Sequence, residues 1–137
     1  MNIVLNPSLA NEIIDHARQE LPNECCGYVT GKDNVCNTVY KMTNLDASPV
    51  HFSFDPKEQF NVIKESRKVG EVPLVVYHSH PESPARLSNE DLRLLNDPNM
   101  VYLIVSLEND APDLKAYKII NKNIINIDIK KEVLNVS

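Results

Sequence analysis

Only three cysteines occur in the 137 residues, Cys25, Cys26 and Cys36. An odd number, two of them adjacent and none in C-x-x-C spacing, describes neither a disulfide framework nor a zinc knuckle, and fits a reducing, cytoplasmic compartment. Basic charge is also scarce: 14 Lys and Arg stand against 19 Asp and Glu, a net charge of −5, with no extended cluster. Nucleic-acid partners leave a basic footprint, so that class is disfavoured. Apolar runs such as Pro73–Tyr77 are far too short to cross a bilayer, so no membrane span is expected. Met1–Pro7 shows no basic stretch leading into an apolar run, so no secretory leader is expected either. Repeats, low-complexity tracts and linkers are missing, and the length suits one domain over 1–137.

What is present reads as alternating helices and short strands. Asn6 is placed to cap a helix with Pro7 in its first turn; Leu9, Ile13, Ala17 and Leu21 recur every fourth residue until Pro22. Cys25–Thr30 and Val35–Met42 form a hairpin around the turn residues Gly31–Asn34. His51–Phe54 suggests another short strand. Asp55-Pro56 then starts a second helix with Phe60, Ile63 and Val69 as its apolar side, closed by Gly70. Val72–Tyr77 is β-branched and apolar on both sides, as in a central strand. Ser88 caps a third helix reaching about Asn96, and Val101–Leu107, Leu114–Ile120 and Ile124–Ile129 complete the strands. The expectation is one domain of α/β (α+β) type, with a mixed, mainly antiparallel central sheet flanked by about three helices.

The chemistry centres on Tyr77-His78-Ser79-His80-Pro81, with Ser88 and Asp91 downstream. Residues two apart on a strand share a face, so His78 and His80 present two imidazoles side by side. A carboxylate from the next helix, Asp91, would complete a three-ligand set and leave a fourth position for water, as catalytic zinc sites do. Taken alone these residues do not decide the matter. An H-x-H pair is common, Ser88-x-x-Asp91 is also an ordinary capping box, and Glu24, after Pro22-Asn23, reads as an exposed turn residue.

The spacing His78-x-His80, seven residues to Ser88, then two residues to Asp91, resembles the JAMM motif. The stretch Glu24-Cys25-Cys26-Gly27 is similar to that family's first signature, an acidic residue just before a Cys-Gly strand. Asp55-Pro56 and Ser106-Leu107 resemble its small prokaryotic members. The resemblance to these JAMM/MPN+ peptidases implies a cytidine-deaminase-like JAMM/MPN fold. It implies one zinc ion per chain held by His78, His80 and Asp91, Glu24 as the acid/base outside the ligand set, and Ser88 as a hydroxyl that stabilises the tetrahedral intermediate. Leu87, where relatives often have proline, and Tyr28-Val29, where leucines are usual, depart from the pattern and bear on loop shape. Cys26 and Gly27 read as structural, with Cys25 facing nearer the site but without a histidine to activate it.

The same resemblance implies a substrate: a ubiquitin-like sulfur carrier of the ThiS/MoaD kind, cut behind its C-terminal Gly-Gly to release cysteine or a tail extension, by a monomer or homodimer. Removal of a ubiquitin-like modifier from lysines is the alternative. A RadC-like role lacks the expected asparagine between the histidines and the basic charge, and a non-catalytic MPN scaffold would have lost ligands that are all present here. A tail would pair as an added strand along Val101–Leu107 or along Val50–Phe54.

Overall fold

The computed structural model describes residues 1–131; the end of the expected 1–137 domain lies outside the described residues. Asn2–Val4 forms β1, and α1 (Pro7–Gln19) follows. The Asn6 side chain accepts the Leu9 N–H at 2.9 Å, and Pro7 sits in the first turn, where a missing N–H costs nothing. β2 (Cys26–Lys32) and β3 (Val35–Met42) make the expected hairpin, with Asp33 at φ 58° in the turn. α2 (Pro56–Lys68) is capped by Asp55 and is followed by Gly70 at φ 74°. β4 (Val72–His80), α3 (Asn89–Leu94), β5 (Val101–Ser106), β6 (Asp113–Ile120) and β7 (Asn123–Lys130) complete the described elements.

The α+β class, the three helices and the mixed pairing agree with the sequence reading; the open central sheet does not. The strands run β1-β3-β2-β4-β5-β6-β7 and close into a barrel. β1 makes the closure, pairing in parallel with β3 at Val4–Val35 and with β7 from Asn2–Asp128 to Val4–Lys130. Three residues are too few to show an alternating pattern, which is why periodicity missed this strand.

Alternation along β4 creates two environments. Val75 and Tyr77 join Leu9, Ile13 and Ala17 of α1 and Val101, Leu103 and Val105 of β5 in the main core. Val76 turns to the opposite face, where Tyr102, Tyr28, Phe52 and Phe54 pack. His78 and His80 continue that second face.

Three further expectations are corrected. His51–Phe54 is not a strand: one bridge, Asn44–Phe54, and the Leu45 N–H to Ser53 carbonyl bond tie it to the fold, and the Asn44 side chain takes the His51 carbonyl and the Ser53 N–H. Phe60, Ile63 and Val69 point outward from α2, exposed at 69%, 45% and 67%. The helix rests on Val62 because Cys26, Met42 and the aromatics at 28, 40, 52 and 54 already fill the space beneath it. Val101–Leu107 offers no free edge, since β5 is paired with β4 on one side and β6 on the other.

Candidate metal centre

β4 carries the ladder through His80, so both histidines are set by sheet register rather than by a loop. His78 is fully buried, with Phe52 stacked on its ring at 4.8 Å and 28°. The His80 Nδ1 lies 2.8 Å from the Pro84 carbonyl. A carbonyl only accepts, so Nδ1 carries a hydrogen and Nε2 is the nitrogen that faces the centre. The loop supplying that carbonyl is itself fixed: Ser106 Oγ donates to Ser83 O at 2.6 Å and Tyr117 OH to Ala85 O at 2.7 Å.

Asp91 arrives from α3. Ser88 and Asp91 form a complete capping box, Asp91 N–H to Ser88 Oγ and Ser88 N–H to Asp91 Oδ2, each at 3.0 Å. The same carboxylate reaches His78 Nε2 with Oδ1 at 3.2 Å and His80 Nε2 with Oδ2 at 3.1 Å. Capping and ligation are therefore compatible: the cap is what aims the carboxylate. The two Nε2 atoms stand 3.2 Å apart. Donors about 2.0–2.1 Å from one tetrahedral ion lie roughly 3.3 Å from each other, so the cluster has the spacing a single ion requires. Among the described residues these three offer ligand atoms all within 4.8 Å of one another.

Charge is distributed to suit a cation. Burial alone would raise the Asp91 carboxyl, but hydrogen bonds from His78 and His80 hold it well below the usual carboxylate range, so it stays anionic. Burial lowers His78, which keeps it neutral and able to ligate. At His80 burial is outweighed by Asp91 and the Pro84 carbonyl, which raise it; a metal there competes with a proton.

Glu24 is 3% exposed, not the exposed turn residue its local sequence suggests. Cys26 pairs with His78 across the β2–β4 ladder, and the Ser79 N–H reaches the Cys25 carbonyl at 3.1 Å. Continuing that register two residues places Glu24 across from His80 on the metal face. Burial pushes its carboxyl up to about 8, with His80 opposing and Asp91 and Glu90 adding to the rise. Its Oε1 is buried without a partner. An unpaired buried carboxylate oxygen beside three convergent donors is costly unless a cation or a polar reactant faces it.

The register also corrects the cysteines. Cys26, not Cys25, shares the face of His78, while Cys25 packs in the main core. Burial pushes the Cys25 thiol up to about 12 and the Cys26 thiol higher still, so neither is a nucleophile. At Gly27 an added Cβ would run into the Tyr40 carbonyl and the Tyr77 ring, so the packing of β2 between β3 and β4 at this point depends on glycine. Sequence reasoning missed Phe52 as the cover on His78 and Pro84 as the carbonyl that orients His80. The second leaves no side-chain signal at all.

A profile described as prokaryotic homologs of the JAB domain, Prok-JAB, matches residues 6–120. The chain belongs to this family. The match contains Glu24, His78, His80, Ser88 and Asp91. Within the Prok-JAB chain's relatives, the CysO-cysteine peptidase of Mycobacterium tuberculosis is 32% identical over 122 residues, covering 87% of this chain and 84% of that protein. The desampylase of Haloferax volcanii is 34% identical over 104 residues, covering 70% and 74%. A solution structure of a Desulfitobacterium hafniense protein superposes with a TM-score of 0.88 at 42% identity, covering 96% of this Prok-JAB chain and 95% of that one.

Proposed function

We propose that this chain is a zinc-dependent peptidase that hydrolyses the amide or isopeptide bond behind the C-terminal Gly-Gly of a ubiquitin-like sulfur-carrier protein. The observation that carries the reading is the convergence of His78, His80 and Asp91 on one point, with the buried, unpaired Glu24 carboxyl close enough to feel the charges of His80 and Asp91. The names of the mycobacterial and haloarchaeal relatives support the substrate class. Zinc held by the three ligands would polarise the scissile carbonyl and bring the pKa of a bound water to about 7.

The protein's own groups do the rest. Glu24 accepts the proton released as the water attacks and returns it to the departing amine, which is a poor leaving group without it. Ser88 accepts the α3 N–H with a lone pair, so its own O–H remains free to donate to the developing oxyanion. Beside Asp91 a groove of about 240 Å³ runs between His51–Phe54 and Glu90, Leu94 and Leu95 of the α3 region. That space suits an extended tail of small residues rather than a folded domain, and glycine lets such a tail approach the centre closely. With Val101–Leu107 enclosed in the barrel, the Val50–Phe54 segment remains as the place for tail pairing. No helix of the described residues is long and apolar enough to cross a membrane, and the free, buried cysteines suit a reducing cytoplasm.

The decisive experiment is incubation of the zinc-loaded protein with the organism's own Gly-Gly-tailed carrier bearing a C-terminal extension, followed by intact mass. The expected product ends at the second glycine; an unchanged carrier with full zinc present would sink the proposal. Ser88→Gly is expected to lower kcat by about 10²–10³-fold, the usual worth of one oxyanion donor. Glycine caps nearly as well as serine, within a few tenths of a kcal/mol, so zinc content and melting temperature should barely move. Unchanged kcat in this variant removes Ser88 from the chemistry.

A further inference from the structure

Asn44 lies in none of the motifs above, yet every hydrogen-bonding position of its side chain is used. Nδ2 donates to the Glu24 carbonyl at 3.0 Å and to the His51 carbonyl at 3.1 Å. Oδ1 accepts from the Asp46 N–H at 3.0 Å and the Ser53 N–H at 3.2 Å. Those four bonds close the loop 44–54 on itself and fasten it to the strand entry that carries Glu24. The loop returns a fifth connection, because the Glu24 N–H reaches the Ser48 carbonyl at 2.8 Å. Both backbone polar groups of Glu24 therefore end in this one loop. Its carboxyl Oε1, by contrast, has no partner of its own. The place of the carboxyl is fixed through the main chain.

The same loop carries Phe52, whose ring covers His78. One amide thus sits between the acid/base just ahead of β2 and the cover over a ligand on β4. We infer that Asn44 is a positioning residue that couples Glu24 to the Phe52 cover, so that base and metal face are held in one geometry by a single side chain. Its effect on turnover rests on the peptidase reading; the coupling between the two segments does not. Asp46 makes a separate, outer clasp: Oδ1 accepts from Ser53 Oγ at 2.9 Å and Oδ2 lies 3.0 Å from His51 Nδ1. It touches the loop and not Glu24, which makes it the natural control.

Asn44→Asp keeps the two acceptor positions but turns an oxygen toward the Glu24 and His51 carbonyls, so it removes the donor half alone. Amide hydrogen exchange on the protein, with and without zinc, is expected to speed up together in residues 23–26 and 51–54, whereas Asp46→Ala speeds only 45–53. With the extended carrier, Asn44→Asp should lower kcat about 10–100-fold, as loss of an orienting partner commonly does, while zinc stays at one per chain and KM stays near its original value. Asp46→Ala should keep kcat. Asn44→Ser, which retains a local acceptor for the Asp46 N–H but cannot span both carbonyls, provides a milder variant with the same pattern should Asn44→Asp fold poorly. Exchange that rises at 45–53 and not at 23–26, or a lowered melting temperature with kcat intact, overturns the coupling. A protein that fails to cut any carrier but still shows the joint exchange response sinks the peptidase reading and leaves the coupling standing.

Discussion

Glu24→Gln is expected to keep one zinc per chain and to lose turnover by about 10²–10⁴-fold, the range that a positioned acid/base supplies. Glutamine is nearly isosteric and leaves His78, His80 and Asp91 intact, but it can neither take the water's proton nor return one to the amine. The substitution also has a stability signature that an exposed carboxylate would lack. The Glu24 carboxyl is pushed from 4.5 to about 8 in the metal-free fold, chiefly by burial. A raised folded value means the protonated form favours folding: that contribution is complete below about pH 4.5 and is lost as pH climbs through 8. Glutamine cannot ionise, so metal-free Glu24→Gln should gain on the order of 4 kcal/mol over the parent at pH 8 and almost nothing near pH 4.5. Thermal melts at the two pH values, alongside turnover of the zinc-loaded forms, check both halves. Wild-type kcat would remove Glu24 from the mechanism; a stability difference without pH dependence would mean that its carboxyl is not desolvated in the metal-free fold.

The parts of this site that were legible in the sequence are those set by local chemistry. Period two on a strand puts His78 and His80 on one face whatever the rest of the chain does, and Ser88-x-x-Asp91 encodes a helix start within four residues. The local pattern left capping and ligation as rival readings because it says nothing about where the helix end points. The fold makes them one: the cap bonds at 3.0 Å leave Asp91 facing both imidazoles. Glu24 was legible only through resemblance, since nothing near Pro22-Asn23 signals burial; the partners that hold its backbone in place, Asn44 and Ser48, lie twenty or more residues on. β1 escaped because three residues carry no period, and with it went the barrel closure. The outward turn of Phe60 and Ile63 shows the opposite failure. A periodic apolar stripe names a face but not its neighbour, and here tyrosines and phenylalanines from other segments had already occupied the space.

His80→Ala is expected to emerge from purification without metal and with turnover at background. His78 would keep its place under Phe52, and Asp91 its cap, but two donors do not hold an ion that three do. The loss should extend to the metal-free fold. Asp91 is 6% exposed and its charge is supported by two imidazoles at 3.1 and 3.2 Å. Stripping one partner from a buried charge costs about 3–5 kcal/mol, so the apo variant should unfold earlier than apo parent, and adding zinc should rescue the parent alone. In the parent, zinc affinity should begin to fall while pH is still above the ordinary histidine value of 6.5 and keep falling below it, because Asp91 and the Pro84 carbonyl favour the proton that the ion must displace. Titration with zinc at pH 5.5 and 7.5, with melting curves at each, measures all of this. Stoichiometric zinc bound by His80→Ala, or zinc binding indifferent to pH, would mean that the ion sits elsewhere and that the cluster of His78, His80 and Asp91 is a hydrogen-bonded core feature.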